Sequence, residues 1–96
     1  MSPKSDAWQA VFLTNGQVYF GKLSSKHGEY VELAKVFYLQ SNQGINSAKE
    51  SGDLNLIKLG AEIHGPEDKM YISRKQIIFW ENLKSDSKIV KIISAY

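Results

Sequence analysis

The sequence predicts a small, mainly β domain, strongly bent into a barrel of five or six strands and followed by a short C-terminal helix. β-branched and aromatic residues recur in short runs along most of the chain, as they do in strands. An Asn-Gly dipeptide joins the first two runs, and a glycine interrupts the second. Helical spacing of apolar residues occurs only near the C-terminus.

Length and composition predict one domain. The chain has 96 residues, of which 43% are hydrophobic and 23% are charged, and both fractions are ordinary for a globular protein. A chain of this length holds one core and leaves no room for a second domain. We expect a disordered tail at residues 1–6, because this segment is polar, and a single folded domain over residues 7–96.

The first hairpin has the clearest local pattern. Residues 8–14 form an aromatic and β-branched run, and residues 17–23 form a second. Between them, Asn15 and Gly16 favour the positive φ angles of a tight primed turn. Gly21 lies inside the second run, where a glycine predicts a bulge or the kind of bend that a small barrel needs to close.

The third predicted strand covers residues 29–39. Its first half alternates between faces, whereas its second half, residues 36–39, is apolar throughout. We expect both faces of that half to be covered, either by the domain or by a neighbouring chain. Residues 40–53 contain one large apolar residue, Ile45, and this composition predicts a mobile polar loop.

Three shorter strands are predicted in the second half of the chain, at residues 54–59, 70–72 and 77–80. Residues 60–69 form a turn region that contains a Gly-Pro pair. Residues 73–76 form a polar corner with the composition of one turn of tight helix.

The C-terminal segment predicts a short amphipathic helix over residues 86–94. Ser85 or Asp86 is a candidate N-cap. The apolar residues that recur at helical spacing are Ile89, Val90, Ile92 and Ile93. The alternative is a last strand, because isoleucine and valine favour strands.

Composition also limits the class of protein. Without cysteine there are no disulfides or thiolate metal sites, and a net charge of +2 does not by itself imply nucleic-acid or membrane binding. No segment approaches the roughly 20 apolar residues of a membrane span, and the N-terminus lacks the apolar core of a signal peptide. We expect a cytoplasmic protein with no membrane partner.

Catalytic patterns are absent from the sequence. His27 and His64 lie in separate turns, without the neighbouring nucleophile or ligand spacing that a triad or a metal site needs. Carboxylates near His64 occur in a turn region, where such a composition is common on surfaces. We expect no enzyme, no metal and no cofactor; a metal-dependent enzyme using His64 is the remaining alternative of that class.

Residues 13–23 resemble the first motif of Sm-like proteins: an apolar strand, a turn glycine, a second glycine five residues later and a leucine two beyond it. Residues 30–33 are similar to the family's third strand, and residues 70–80 resemble its second motif. The bacterial RNA-chaperone branch is the closer comparison, because its Asn-Gly turn and the spacing that follows match here. The resemblance implies a strongly bent five-stranded barrel that assembles into rings and binds single-stranded RNA.

The resemblance also implies an RNA-binding surface near the two turns at residues 24–28 and 73–76. The residues it assigns there are Lys26, His27, Tyr30, Arg74, Lys75 and Gln76. Lysine and arginine pair with phosphates, while tyrosine and histidine stack on bases. The alternative is that these are ordinary turn and edge residues that keep the protein soluble.

Aromatic and apolar strand residues predict a homo-oligomer. The predicted interface residues are Val36, Phe37, Tyr38, Phe79 and Trp80. Neighbours in a strand face opposite sides, so one of Phe79 and Trp80 should face outward, and grouped exposed aromatics mark interfaces. Together with the resemblance, which implies the RNA binding, these residues predict a non-enzymatic module that self-associates and binds single-stranded RNA. The alternative is a structural or protein-interaction subunit with no nucleic-acid role.

Overall fold

A computed structural model describes residues 3–4, 6–39 and 55–96 of the chain. Its elements are β1 (Gln9–Leu13), β2 (Val18–His27), β3 (Tyr30–Leu39), β4 (Leu56–Lys58), β5 (Lys69–Ser73), a one-turn 3₁₀ helix (Arg74–Gln76), β6 (Ile77–Asn82) and α1 (Lys88–Ser94). The mainly β class and the short C-terminal helix are confirmed. The mobile loop predicted at residues 40–53, and residues 1, 2 and 5 of the predicted tail, lie outside the described residues.

All described strands belong to one antiparallel sheet. Five of them follow the order β4-β3-β2-β1-β6, and β5 pairs with β3 on the same side as β4. The 3₁₀ helix joins β5 to β6, although β5 pairs with β3 and β6 pairs with β1. No pairing joins β5 to β6 among the described strands, so the sheet is not closed into a barrel.

The turn between β1 and β2 confirms the predicted hairpin but differs from the predicted turn type. The Gly16 N–H donates to the Leu13 carbonyl at 3.0 Å, and the Leu13 N–H donates to the Gln17 carbonyl at 2.9 Å. Only Gly16, with φ of 89°, has a positive φ in this turn; Asn15 does not. A type I′ turn needs a positive φ at both central residues and a type II′ turn needs it at the first, so Asn15-Gly16 forms neither, and the turn is closed by one left-handed glycine. Asn15 instead uses its side-chain oxygen to accept the Gln17 N–H at 3.0 Å.

Gly21 lies at a bulge, as predicted. The pairing of β2 with β3 shifts register between Phe20 and Lys22. A Cβ on Gly21 would lie 2.5 Å from the backbone oxygen of Ala34, so a side chain does not fit there. Two residues further along, the Leu23 N–H donates to the buried side chain of Gln9 at 2.9 Å. The bulge therefore bends β2 without leaving this buried N–H unsatisfied.

One face of the sheet encloses an inner cluster. Its buried residues are Val11, Leu13, Leu23, Val31, Leu33, Val36, Leu59 and Ile72. They come from β1, β2, β3, β5 and the segment after β4, and Ile77 and Trp80 of β6 pack against them. Because strands from both ends of the sheet meet in this cluster, the sheet curves around it.

The opposite face is covered by α1. Ala10, Phe20 and Phe37 are buried there against Ile89 and Ile93. Both faces of the sheet are therefore packed in the part formed by the neighbouring strands β1, β2 and β3, which accounts for the continuous apolar run at residues 36–39. The domain itself covers that run.

The N-cap of α1 lies one residue after Asp86 and two residues after Ser85, the two predicted caps. Ser87 is the N-cap, and its hydroxyl accepts the Val90 N–H at 3.1 Å. Ile89, Val90 and Ile93 are the buried residues of α1, and Ile89 and Ile93 pack in the cluster that includes Phe20 and Phe37. No helix in the described part of the chain has the length and apolar content to span a membrane.

Candidate functional site

The β2–β3 turn and the corner at residues 73–76 lie side by side, and we call them together the two-turn surface. Arg74 connects them. Its Nη2 donates to the Ser25 carbonyl at 2.6 Å, and its Nε donates to the Gly28 carbonyl. The structure therefore brings together the two turns that the family resemblance singled out.

These contacts make Arg74 a structural residue first. Two guanidinium donors are engaged with backbone carbonyls, and the Arg74 N–H donates to the Glu29 carbonyl at 3.0 Å. A guanidinium has five N–H donors, so the remaining ones can still meet an anion. Lys75 follows in the corner and is exposed.

Gln76 ties the corner to a third turn, the one between β1 and β2. Its carbonyl accepts the Thr14 N–H at 2.8 Å, and its side-chain Oε1 accepts the Thr14 hydroxyl at 2.7 Å. The corner is thus fixed at both ends, by Arg74 on one side and by Gln76 on the other.

Tyr30 lies at the start of β3, beside the corner. It pairs with Ser73 of β5 and is 51% exposed. Its neighbour Val31 is buried in the inner cluster, so the Tyr30 side chain points to the outer face. The backbone of His27 pairs with Tyr30. The side chains of Lys26 and His27 lie outside the described part of the structure.

The predicted interface residues of β3 are placed mostly inside the chain. Val36 belongs to the inner cluster and Phe37 to the cluster under α1, and both are buried. Neither residue is exposed for contact with another chain, because the protein's own strands and helix cover both. Tyr38 is half-buried.

The two aromatic residues of β6 divide between the faces, as alternation predicts. Trp80 packs against the inner cluster. Phe79 is 46% exposed and stacks on Phe12, with ring centroids 4.3 Å apart. Ile78, beside it at a register shift, is 63% exposed. β6 therefore presents an apolar patch, which we call the β6 patch and define as Ile78 and Phe79.

Tyr38 fastens the loop between β4 and β5 to β3. Its hydroxyl donates to Oε2 of Glu62, and this bond, with a smaller contribution from burial, raises the pKa of Tyr38 to about 12. The hydrogen bond from Tyr38 makes the largest contribution to lowering the pKa of Glu62, and the hydrogen bond from the Gly60 N–H makes the second largest. Burial, followed by the charge of Glu62, raises the pKa of Tyr19.

The carboxylates near His64 are engaged in other contacts. Glu62 accepts the Tyr38 hydroxyl, while Asp68 forms an ion pair with Lys58 and accepts the Val36 N–H at 2.9 Å. Within residues 3–4, 6–39 and 55–96, no three His, Asp or Glu side chains are grouped so as to hold a metal ion.

An open groove of about 430 Å³ lies between the β1–β2 hairpin and β5. Its lining residues are Leu13, Asn15, Tyr19, Met70, Tyr71, Ile72, Ser73 and Gln76. Two tyrosines and three aliphatic or thioether side chains form the walls, and the polar members belong to the turn and the corner. The groove is thus continuous with the two-turn surface through Ser73 and Gln76.

Sequence reasoning missed Tyr71 and Ile78 as surface residues. The signal for Tyr71 was present, because alternation along β5 places it opposite in direction to its buried neighbour Ile72. For Ile78 no comparable signal existed, since its exposure depends on the register shift between β1 and β6.

Comparison with known proteins adds no assignment: no protein-family model matches the chain, and no curated protein matches it.

Proposed function

We propose that this protein is a non-enzymatic β module that self-associates and binds single-stranded RNA at the two-turn surface. The observation that carries the proposal is the joining of the two turns by Arg74, which bonds the carbonyls of Ser25 and Gly28. The connection of β5 to β6 through a one-turn helix, with β5 on β3 and β6 on β1, supports the further proposal of an Sm-like barrel.

The chemistry of the two-turn surface suits an RNA strand. Tyr30 offers an exposed ring on which a base can stack, and Lys75 offers a charge for a phosphate beside it. A low overall charge of +2 makes binding depend on this local arrangement rather than on a general positive field.

A titration of fluorescent single-stranded RNA at several salt concentrations tests the proposal. Lys75→Ala should lower the slope of log affinity against log salt by about one unit, since one phosphate contact is lost. Tyr30→Ala should weaken binding by about 1–3 kcal/mol, the usual contribution of one stacked base.

Lys84→Ala is the matched control. Lys84 is exposed and follows the end of β6, whereas the corner precedes its start. Equal salt slopes for Lys75→Ala and Lys84→Ala would place RNA somewhere other than the two-turn surface.

A second candidate function is a protein-interaction subunit without RNA. The β6 patch favours it, because two exposed apolar side chains lie on β6, which among the described strands pairs with β1 alone. Purified protein that carries no RNA and fails to bind it in low salt would make this the leading function.

A further inference from the structure

We propose that a cleft between the segment before β1, the end of β6 and the start of α1 binds a small organic acid with an apolar body and one carboxylate. The cleft volume of about 490 Å³ lies within the range of about 300–1,000 Å³ typical of small-molecule sites. We call it the N-terminal cleft, and the lining residues that determine its chemistry are Lys4, Asp6, Trp8, Leu83, Lys84 and Val90. None of them belongs to the two-turn surface or to the β6 patch, so this site is separate from the proposed function.

The apolar part of the N-terminal cleft lies on the face of the sheet that α1 covers. The Leu83 N–H donates to the Trp8 carbonyl at 2.7 Å, which extends the pairing of β1 with β6 by one residue. Trp8 and Leu83 both pack against the buried cluster under α1, so their side chains are on that face. Val90, the third apolar residue of the lining, comes from α1 itself. A flat apolar group would therefore meet one indole and two aliphatic side chains.

Contacts outside the cleft determine the position of the Trp8 ring. This ring meets the ring of Phe37 edge-on, with centroids 6.2 Å apart. The Lys22 ammonium lies 4.7 Å from the Trp8 ring centroid. Neither Phe37 nor Lys22 lines the cleft. The indole therefore has partners on the sheet in addition to the surface that it contributes to the cleft.

The two lysines of the cleft belong to backbone segments that are held in place. The Ser87 N–H donates to the Lys84 carbonyl at 3.0 Å and closes the turn between β6 and α1. On the other side, the Lys4 carbonyl accepts the side-chain amide of Gln9 at 2.9 Å, and the Lys4 N–H donates to Oδ1 of Asn82 at 3.1 Å. Gln9 is 1% exposed, so the segment before β1 is attached to a buried residue.

The charges of the lining favour an anion over a cation. Lys4 and Lys84 contribute two ammonium groups, and Asp6 contributes one carboxylate. Among the residues that the structure describes, no ion pair joins Asp6 to either lysine. Asn82 also lines the cleft, and its –NH₂ group is not used in the two bonds that its Oδ1 accepts. Ammonium and amide donors are the groups that pair with a carboxylate, and the excess of one positive charge matches a ligand with one negative charge.

The experiment follows the indole N–H resonances of Trp8 and Trp80 in ¹⁵N-labelled protein during titration with three probes. Phenylacetate, 2-phenylethanol and phenethylamine share a ring and differ in charge. Phenylacetate should shift the Trp8 resonance and leave that of Trp80, which packs against the inner cluster. It should bind about 2- to 5-fold more tightly than 2-phenylethanol, as expected for one exposed ion pair, and phenethylamine should bind most weakly.

A double variant tests the role of the lysines. Lys4→Ala combined with Lys84→Ala removes both ammonium groups and leaves Asp6. This variant should lose the preference for phenylacetate and should bind 2-phenylethanol as the wild type does, because the apolar lining is unchanged. The matched control combines Lys69→Ala with Lys91→Ala, two exposed lysines that do not line the cleft, and it should keep the preference. Thermal melting checks that both double variants are folded.

Each contrary result overturns a stated part of the proposal. A Trp8 resonance that millimolar phenylacetate does not shift, or one that shifts no more than that of Trp80, would refute the N-terminal cleft as a ligand site. Equal affinities of the wild type for the three probes would refute its selectivity for an acid. An equal loss of preference in the two double variants would show that the net charge of the protein, and not Lys4 and Lys84, selects the anion.

Discussion

Gly21 is the residue on which the close approach of β2 to β3 depends. A Cβ there would meet the Ala34 backbone oxygen at 2.5 Å and the Leu33 side chain at 3.0 Å. Gly21→Ala should therefore lower the free energy of unfolding by about 1–3 kcal/mol, the usual cost of overpacking. Urea denaturation measures the change.

Ser24→Ala is the control on the same strand, since it alters a half-buried position without adding an atom. It should change stability by less than about 0.5 kcal/mol. Equal stability of Gly21→Ala and the wild type would show that β2 and β3 do not approach each other as closely as described.

Glu62 gives the fold a pH dependence with a defined sign. The bond from Tyr38 lowers the pKa of Glu62 below its ordinary value of 4.5, so the ionised form stabilises the fold above pH 4.5. That contribution is lost as the pH falls through the lower pKa of the folded state. Glu62→Gln should therefore be less stable than the wild type at pH 7, and the two urea midpoints should converge in acid.

The matched control is Glu67→Gln, an exposed glutamate in the same loop. It should follow the wild type at every pH. A constant difference in stability between Glu62→Gln and the wild type from pH 7 into acid would contradict the Tyr38–Glu62 bond.

In alkali the pH dependence has the opposite direction, because the group that titrates there is Tyr38. Its pKa is raised from 10 to about 12, so the stability it contributes is present below pH 10 and declines as the pH rises toward 12.

The helix α1 contributes to the domain by docking on the sheet. Ile93 is buried against a cluster that includes Phe20 and Phe37. Ile93→Ala should lower the free energy of unfolding by about 2–5 kcal/mol, whereas Lys91→Ala, on the exposed side of the helix, should change it by less than about 0.5 kcal/mol. Equal melting temperatures for the two variants would mean that α1 is not packed on the sheet.

Local chemistry was sufficient to predict several elements. The Asn-Gly hairpin, the bulge at Gly21 and the C-terminal helix follow from turn preference, a missing side chain and apolar spacing, all of which act over a few residues. The turn type and the cap at Ser87 did not follow. Both depend on which of several adjacent residues the tertiary packing selects, and the N-cap lies at Ser87, beyond both candidates from the sequence.

The contacts of the site were less predictable than its position. The resemblance placed the two turns near each other. It did not predict that the Arg74 guanidinium would join them by donating hydrogen bonds to the carbonyls of Ser25 and Gly28. Nor did the apolar run at residues 36–39 reveal that Val36 and Phe37 face two different clusters of the same chain. Such assignments depend on long-range pairing, which a local pattern does not contain.

At the scale of the whole molecule, the β6 patch predicts self-association. Ile78→Glu places a charge on this exposed apolar surface and should dissociate the proposed oligomer, because a charge buried in a contact without a partner is costly. Sedimentation velocity at tens of micromolar protein measures the change.

Ile63→Glu is the matched control. Ile63 lies in the loop between β4 and β5 and is fully exposed, so the same substitution there should leave the sedimentation coefficient unchanged. A wild type that sediments as a monomer would contradict self-association, and dissociation by both variants would show that the β6 patch is not its specific cause.

The most direct test of the central claim is the sedimentation of a fluorescent single-stranded RNA mixed with the wild-type protein at about 50 mM salt, where phosphate contacts are strong. We predict that the labelled RNA moves with a species larger than the 10.8 kDa chain, and that raising the salt releases it. Labelled RNA that sediments at its own rate, beside a monomeric protein, would contradict both RNA binding and assembly.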